Sequence, residues 1–100
     1  MYFITTFTKH EKNKRGFTDL GSTRTIGYYN NKEAAIAAVL ENSGDIWETV
    51  YTYAVVEYLK PGLYPLALSR DRWFFKWSMD TMQYEPIEPL PSNFGNYAFG

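Results

Sequence analysis

Residues Val50 to Glu88, VYTYAVVEYLKPGLYPLALSRDRWFFKWSMDTMQYEPIE, restrict the possible folds more than any other stretch of the chain. An aromatic, β-branched run enters the turn Lys60-Pro61-Gly62-Leu63-Tyr64-Pro65. A second aromatic run spans Trp73 to Trp77, and a short return follows around Tyr84 to Ile87. β-branched and aromatic side chains suit a pleated, half-buried surface, so these runs predict strands. Along Val50 to Leu59, alternation puts Val50, Thr52, Ala54, Val56 and Tyr58 on one face. Tyr51, Tyr53, Val55, Glu57 and Leu59 take the other. Both faces are largely apolar, as in a central strand covered on both sides. Trp73–Trp77 and Gln83–Ile87 form a hairpin around Ser78-Met79-Asp80-Thr81.

Upstream, Tyr2 to Thr8 alternates as a first strand and Arg24 to Tyr29 as a second, antiparallel to it. Gly27 inside the second predicts a bulge or a close backbone approach. The polar stretch Lys9 to Thr23 between them is long for a hairpin connection and reads as a loop. Asn30 is the expected N-cap of a helix, with Glu33 completing a capping-box pattern. Ala34 to Leu40 supplies the helix, with Ala35, Ile36, Val39 and Leu40 as its apolar stripe and Ser43-Gly44 as its end. Ile46 and Trp47 are placed over the end of that helix.

The resulting fold class is α+β: an antiparallel sheet of about five strands in the order ββαβββ, with one helix packed on one face. One domain spans residues 1–100, and residues 89–100 form a proline/aromatic tail. A single helix leaves the second face of the sheet uncovered. That face is expected to meet the tail, another subunit or a ligand, which points to a homo-oligomer. The rings of Phe94, Tyr97 and Phe99 imply that the tail docks, either on its own domain or on a neighbour.

Composition excludes more than it assigns. There are no cysteines, so disulfide frameworks, thiolate chemistry and cysteine zinc sites are ruled out. No apolar run approaches the ~20 residues of a membrane span. The N-terminus lacks the pattern of a signal peptide, and a cytoplasmic protein is expected. A net charge of −1 gives no global attraction to double-stranded DNA. Aromatic residues make up 19% of the chain, enough to serve both a core and a binding surface.

The acids show no paired pattern suited to acid–base catalysis, and no metal-ligand spacing is present. Glu57 interrupts an apolar strand, so it sits at an exposed strand end or pairs with a cation such as Lys76 or Arg24. His10 is the one histidine, in a polar loop beside Glu11. It is either solvated or a ligand contact. No glycine-rich phosphate motif occurs. Lys12-Asn13-Lys14-Arg15-Gly16, with Arg24-Thr25, is nevertheless the most basic stretch and suits phosphate oxygens. Arg70-Asp71-Arg72 before Trp73 interleaves cations with rings, as sites for bases and phosphates do. The candidate ligand-binding residues are therefore His10, Lys14, Arg15, Arg24, Thr25, Tyr28, Arg72, Trp73 and Trp77. No catalytic residue, metal or cofactor is assigned.

The pieces Arg24-Thr25-Ile26-Gly27-Tyr28, Tyr53 to Glu57, Pro61 to Pro65, Trp73 to Trp77 and Tyr84 to Glu88 together resemble small proteins of bacteriophages and mobile elements, mostly of Firmicutes. Their shared motifs carry no known catalytic role. The resemblance implies origin and size more than activity; with no catalytic group visible, a phage-encoded, non-enzymatic protein directed against host defence is expected. Two functions fit it: sequestration of a small nucleotide immune signal, or an interaction module that blocks a host defence protein by direct binding. The basic loop and the aromatic tail lie outside the resembling pieces.

Overall fold

A computed structural model describes residues 1–63, 67–91 and 95–98. Five strands build the main sheet: β1 (Tyr2–Phe7), β4 (Thr23–Tyr29), β5 (Tyr53–Tyr58), β6 (Arg72–Ser78) and β7 (Gln83–Ile87). Their order is β4-β1-β5-β6-β7, every pairing is antiparallel, and α1 (Lys32–Leu40) follows β4. The class is α+β, with β5 at the centre as its two apolar faces require. Val50 to Thr52 fall outside that strand, which is shorter than the alternation suggested.

Two short strands, β2 (Glu11–Lys12) and β3 (Thr18–Asp19), form a separate ribbon in the stretch read as a plain loop. Two residues per strand are too few for a hydrophobic period. Asn13 shapes the tip: its Oδ1 accepts from the Arg15 and Phe17 amides at 2.9 and 3.1 Å. The bulge foreseen at Gly27 is real. Ile4 pairs with Gly27 and Thr5 with Thr25, so Ile26 is the extra residue of β4.

The N-cap of α1 is Asn31, one residue beyond the expected Asn30. Asn31 is extended, and its Oδ1 accepts from the Ala34 amide at 2.9 Å. Glu33 therefore sits at the second helical position, not the third, and the capping-box reading fails. The helix ends at Leu40 with Glu41 as its C-cap, and the left-handed residue that closes it is Asn42, ahead of the expected Ser43-Gly44. Asn42 takes a left-handed φ of 50°, while the Ser43 amide bonds the Ala38 carbonyl and the Asn42 amide that of Val39. That pair of bonds is a Schellman end with asparagine in the glycine position.

Ala35, Ala38 and Val39 of α1 are buried on a face made of Ile4, Ala54, Val56, Phe75, Trp77 and Tyr84, while Leu40 faces solvent. Trp47 covers the helix end as expected and stacks on Trp77 at 4.3 Å and 6°. Tyr84 meets Trp77 edge-on at 5.1 Å and donates its hydroxyl to the Tyr51 carbonyl at 2.6 Å. Burial, with Asp45 and Glu48 nearby, holds the Tyr84 phenol well above its ordinary value.

The opposite face is not bare. Phe7, Val55 and Phe74 pack with Tyr97 of the tail, flanked by Leu20, Tyr53, Ile87 and Leu90. Tail docking was one of the outcomes open to this face, and Tyr97 docks on its own chain. The tail thus gives part of the cover for which a second subunit had been invoked. Phe94 and Phe99 lie outside the described residues, as do Tyr64 and Pro65 of the turn.

Candidate functional site

The strand register sorts the sheet into two ends. Tyr2 faces Tyr29 and Tyr58 across the ladders, and Glu57 faces Arg72. The start of β1, the ends of β4 and β5 and the start of β6 therefore share one end. At the other end Phe7 pairs with Thr23 and Tyr53, and Ser78 pairs with Gln83.

One hollow lies at the first end, on the face away from α1. It is an open cleft of about 570 Å³ lined by Met1, Phe3, Tyr28, Leu59, Lys60, Pro61 and Gly62. Met1 and Leu59 extend the β1–β5 ladder: the Leu59 amide donates to the Met1 carbonyl at 2.9 Å, and the Met1 amine donates to the Leu59 carbonyl at 3.1 Å. Leu59 is buried and makes the floor. Phe3 and Tyr28, partners across β1 and β4, hold their rings 5.4 Å apart and tilted. The Tyr28 ring is 60% exposed, and Lys60 is exposed at the rim. Gly62, with φ 138°, turns the chain away where a side chain would strain the backbone. The cleft is largely apolar, with the Lys60 ammonium at its mouth and the Met1 amine tied to the Leu59 carbonyl, a pattern typical of small-molecule sites.

A second hollow of about 480 Å³ occupies the same end on the helix side. It is bounded by Tyr2, Asn30, Asn31, Lys32, Glu33, Asp71 and Trp73. Lys32 Nζ sits 5.2 Å from the Trp73 ring, and Glu33 and Asp71 add two carboxylates to the lining.

The nine residues singled out from sequence do not form one cluster. Tyr28, Arg72 and Trp73 share the first end, but Trp73 is on the helix face. His10, Lys14, Arg15, Arg24 and Thr25 belong to the β2–β3 ribbon or the far half of β4. Lys14 and Arg15 are solvated at the ribbon tip. Arg24 pairs with Glu48 at 3.2 Å, both half-exposed. Thr25 shares a hydrogen bond with Thr5. His10 stacks on Tyr97 and shares a hydrogen bond with its hydroxyl at 3.2 Å; desolvation pushes the imidazole below its ordinary value. Trp77 is closed into the core against Trp47 and Tyr84.

Arg72 has a different partner from any ligand. Glu57 is completely buried, and its cation is Arg72, not Lys76 or Arg24: Arg72 Nε donates to Glu57 Oε2 at 3.0 Å. The amides of Tyr97 and Ala98 also donate to this carboxylate, at 3.0–3.1 and 2.8 Å. The exposed-strand-end alternative for Glu57 is thereby excluded. Lys60 and Leu59 were missed from sequence, although their position between a central strand and a Pro-Gly turn marks them as a strand-end rim.

No helix among the described residues is long and apolar enough to cross a membrane. Among the same residues, no group of three His, Asp or Glu side chains is placed to hold a metal ion. No family model matches the chain, and no curated protein or solved structure does either.

Proposed function

We propose that this chain is a non-enzymatic binder that captures a small nucleotide in the cleft between Phe3, Tyr28 and the Leu59–Gly62 turn. The observation that carries this reading is the solvent-exposed Tyr28 ring standing over an apolar cleft of about 570 Å³ with Lys60 at its mouth. A base stacks on Tyr28 above Leu59, and the Lys60 ammonium meets the phosphate. The size falls within the usual range for small-molecule sites. The setting, sequestration of an immune signal by a phage-encoded protein, rests on the sequence resemblance.

One observation favours the interaction-module reading instead. Met1 and Tyr28, which line the cleft, and Leu63, which follows its Gly62 wall, are all exposed apolar side chains. They suit the rim of a protein contact that inserts one side chain into it.

Thermal melts against linear, cyclic and ADP-ribose-type nucleotides separate the two. A ligand at a hundred times its dissociation constant stabilises by about 2.7 kcal/mol. At roughly 4–8 °C per kcal/mol for a domain this size, the melt should move by at least ~10 °C. Tyr28→Ala and Lys60→Ala should keep the native melting temperature and lose the shift. No shift for any nucleotide, together with a stable host-protein complex abolished by Tyr28→Ala, would establish the interaction module in its place. Turnover of nucleotide in excess over protein would overturn both.

A further inference from the structure

The contacts around Glu57 have the form of peptide recognition. Residues 95–98 cross the face of the sheet opposite α1 and are read at four points. The Glu57 carboxylate accepts the successive amides of Tyr97 and Ala98. Arg72 donates to the Gly95 carbonyl while its Nε holds Glu57. Asn96 Oδ1 accepts from the Ala67 amide at 2.7 Å. The Tyr97 ring fills a slot between Phe7, Phe74 and His10, with the Arg72 guanidinium 5.6 Å from its centre. Ala98 is buried against Leu59 and Ala67.

A buried ion pair is a poor device for merely covering an apolar face, since a well-packed apolar pair of similar volume is usually as stable or more so. What the carboxylate adds is selectivity: two successive amides turned to the same side by a bend in the chain, an asparagine one residue before the ring, and a small residue after it. We propose that this face of the sheet is a recognition groove for a bent Asn-Tyr-small segment of a partner protein, and that residues 95–98 occupy it in cis as a releasable strap. The seated strap defines the chemistry of the partner. A tethered segment competes at an effective concentration in the millimolar range. The apparent affinity for a free segment falls by the fraction of time the strap is open. A strap open about 1% of the time weakens capture by about a hundredfold.

Hydrogen exchange on the full wild-type chain tests the release. The amides of Tyr97 and Ala98 should exchange at least ~10-fold faster than those of Val55 and Val56 in the central strand, by opening short of global unfolding. Capture is tested with a fluorescent peptide copying residues 91–100. It should bind the full-length Tyr97→Ala chain at least ~10-fold more tightly than wild type, as the strap-open fraction requires. The same peptide with its tyrosine replaced by alanine should not bind. Asn96→Ala removes one strap anchor and leaves the ring seated, so it serves if Tyr97→Ala does not fold. Strap amides that exchange only with the central strand would overturn the proposal, as would a folded Tyr97→Ala or Asn96→Ala chain that ignores the peptide. A wild-type dimer dissolved by the peptide would put a second copy of this chain in the groove and overturn the partner assignment.

Discussion

Replacing Glu57 by alanine removes the acceptor for three donors at once: Arg72 Nε and the Tyr97 and Ala98 amides. The Arg72 side chain is only 9% exposed, so its charge is left without a counter-ion in a place water barely reaches. Breaking a buried pair by deleting one partner costs about 3–5 kcal/mol. Each buried amide left unpaired adds about 1–3 kcal/mol unless it finds water. The strap is the part that can give way, and lifting it rehydrates both amides and part of Arg72. The expected loss is therefore about 3–5 kcal/mol, with the amides contributing little beyond the pair. A domain of this size has about 5–15 kcal/mol in total, so the variant should still fold. In urea, with an m-value of about 1–3 kcal/mol/M, the midpoint should fall by at least ~1 M. Replacing both partners, Glu57→Gln with Arg72→Met, removes the buried charges together. It should cost less than the sum of the single changes by at least ~1.5 kcal/mol. Glu57→Ala costing under about 1 kcal/mol, or strictly additive single and double variants, would refute the view that this pair is buried and coupled.

Three further outcomes are expected. Desolvation depresses the His10 pKa, so the unfolded chain binds a proton more readily than the folded one; stability conferred by neutral His10 is present above pH ~6.5 and is lost as pH falls through the lower folded value. Urea melts at pH 7.5, 6 and 5 should show this loss in wild type and a smaller one in His10→Gln, whereas parallel curves would disprove it. Asn31→Ala removes the cap on the Ala34 amide and should cost about 1 kcal/mol by urea melt, while Asn30→Ala should cost almost nothing. Trp77 Nε1 is buried without a hydrogen-bond partner among the described residues, so Trp77→Phe keeps an aromatic ring on Trp47 and removes that donor. It should cost distinctly less than the roughly 3–5 kcal/mol of Trp77→Ala in the same melts.

The fold was legible in sequence wherever side-chain period was strong. Tyr53–Tyr58 announced itself by alternation, Arg72–Ser78 by the aromatic run Trp73–Trp77, and the alanine-rich helix by its composition. What the sequence withheld was register. The β5–β6 connection is too long for turn geometry to set the pairing, so nothing local says that Glu57 lies opposite Arg72 and not Lys76. The ribbon strands were too short to show a period. The candidate site suffered for a related reason. Arg24 and Tyr28 lie four residues apart, but a bulge and the length of β4 put them at different ends and on different faces of the sheet. Trp73 and Trp77 share the helix face of β6 but stand at its opposite ends, one half-buried beside Lys32 and the other sealed into the core. Tyr28 alone of the nine stands at the cleft. Its neighbours there come from the start of β1 and the turn after β5, which sequence proximity does not join to it.

The bulge at Ile26 also governs how copies of this chain meet at high concentration. β4 is one margin of the main sheet, and a regular margin of that length would template the addition of further strands, chain upon chain. The extra residue breaks the even spacing of outward amides and carbonyls. At the opposite margin, Pro86 within β7 has no amide to offer. With both margins spoiled for zippering, the sheet cannot readily grow sideways into a fibre. Protection against aggregation is thus written into the backbone of the two outermost strands. The faces and ends of the sheet are left free to carry sticky aromatic side chains.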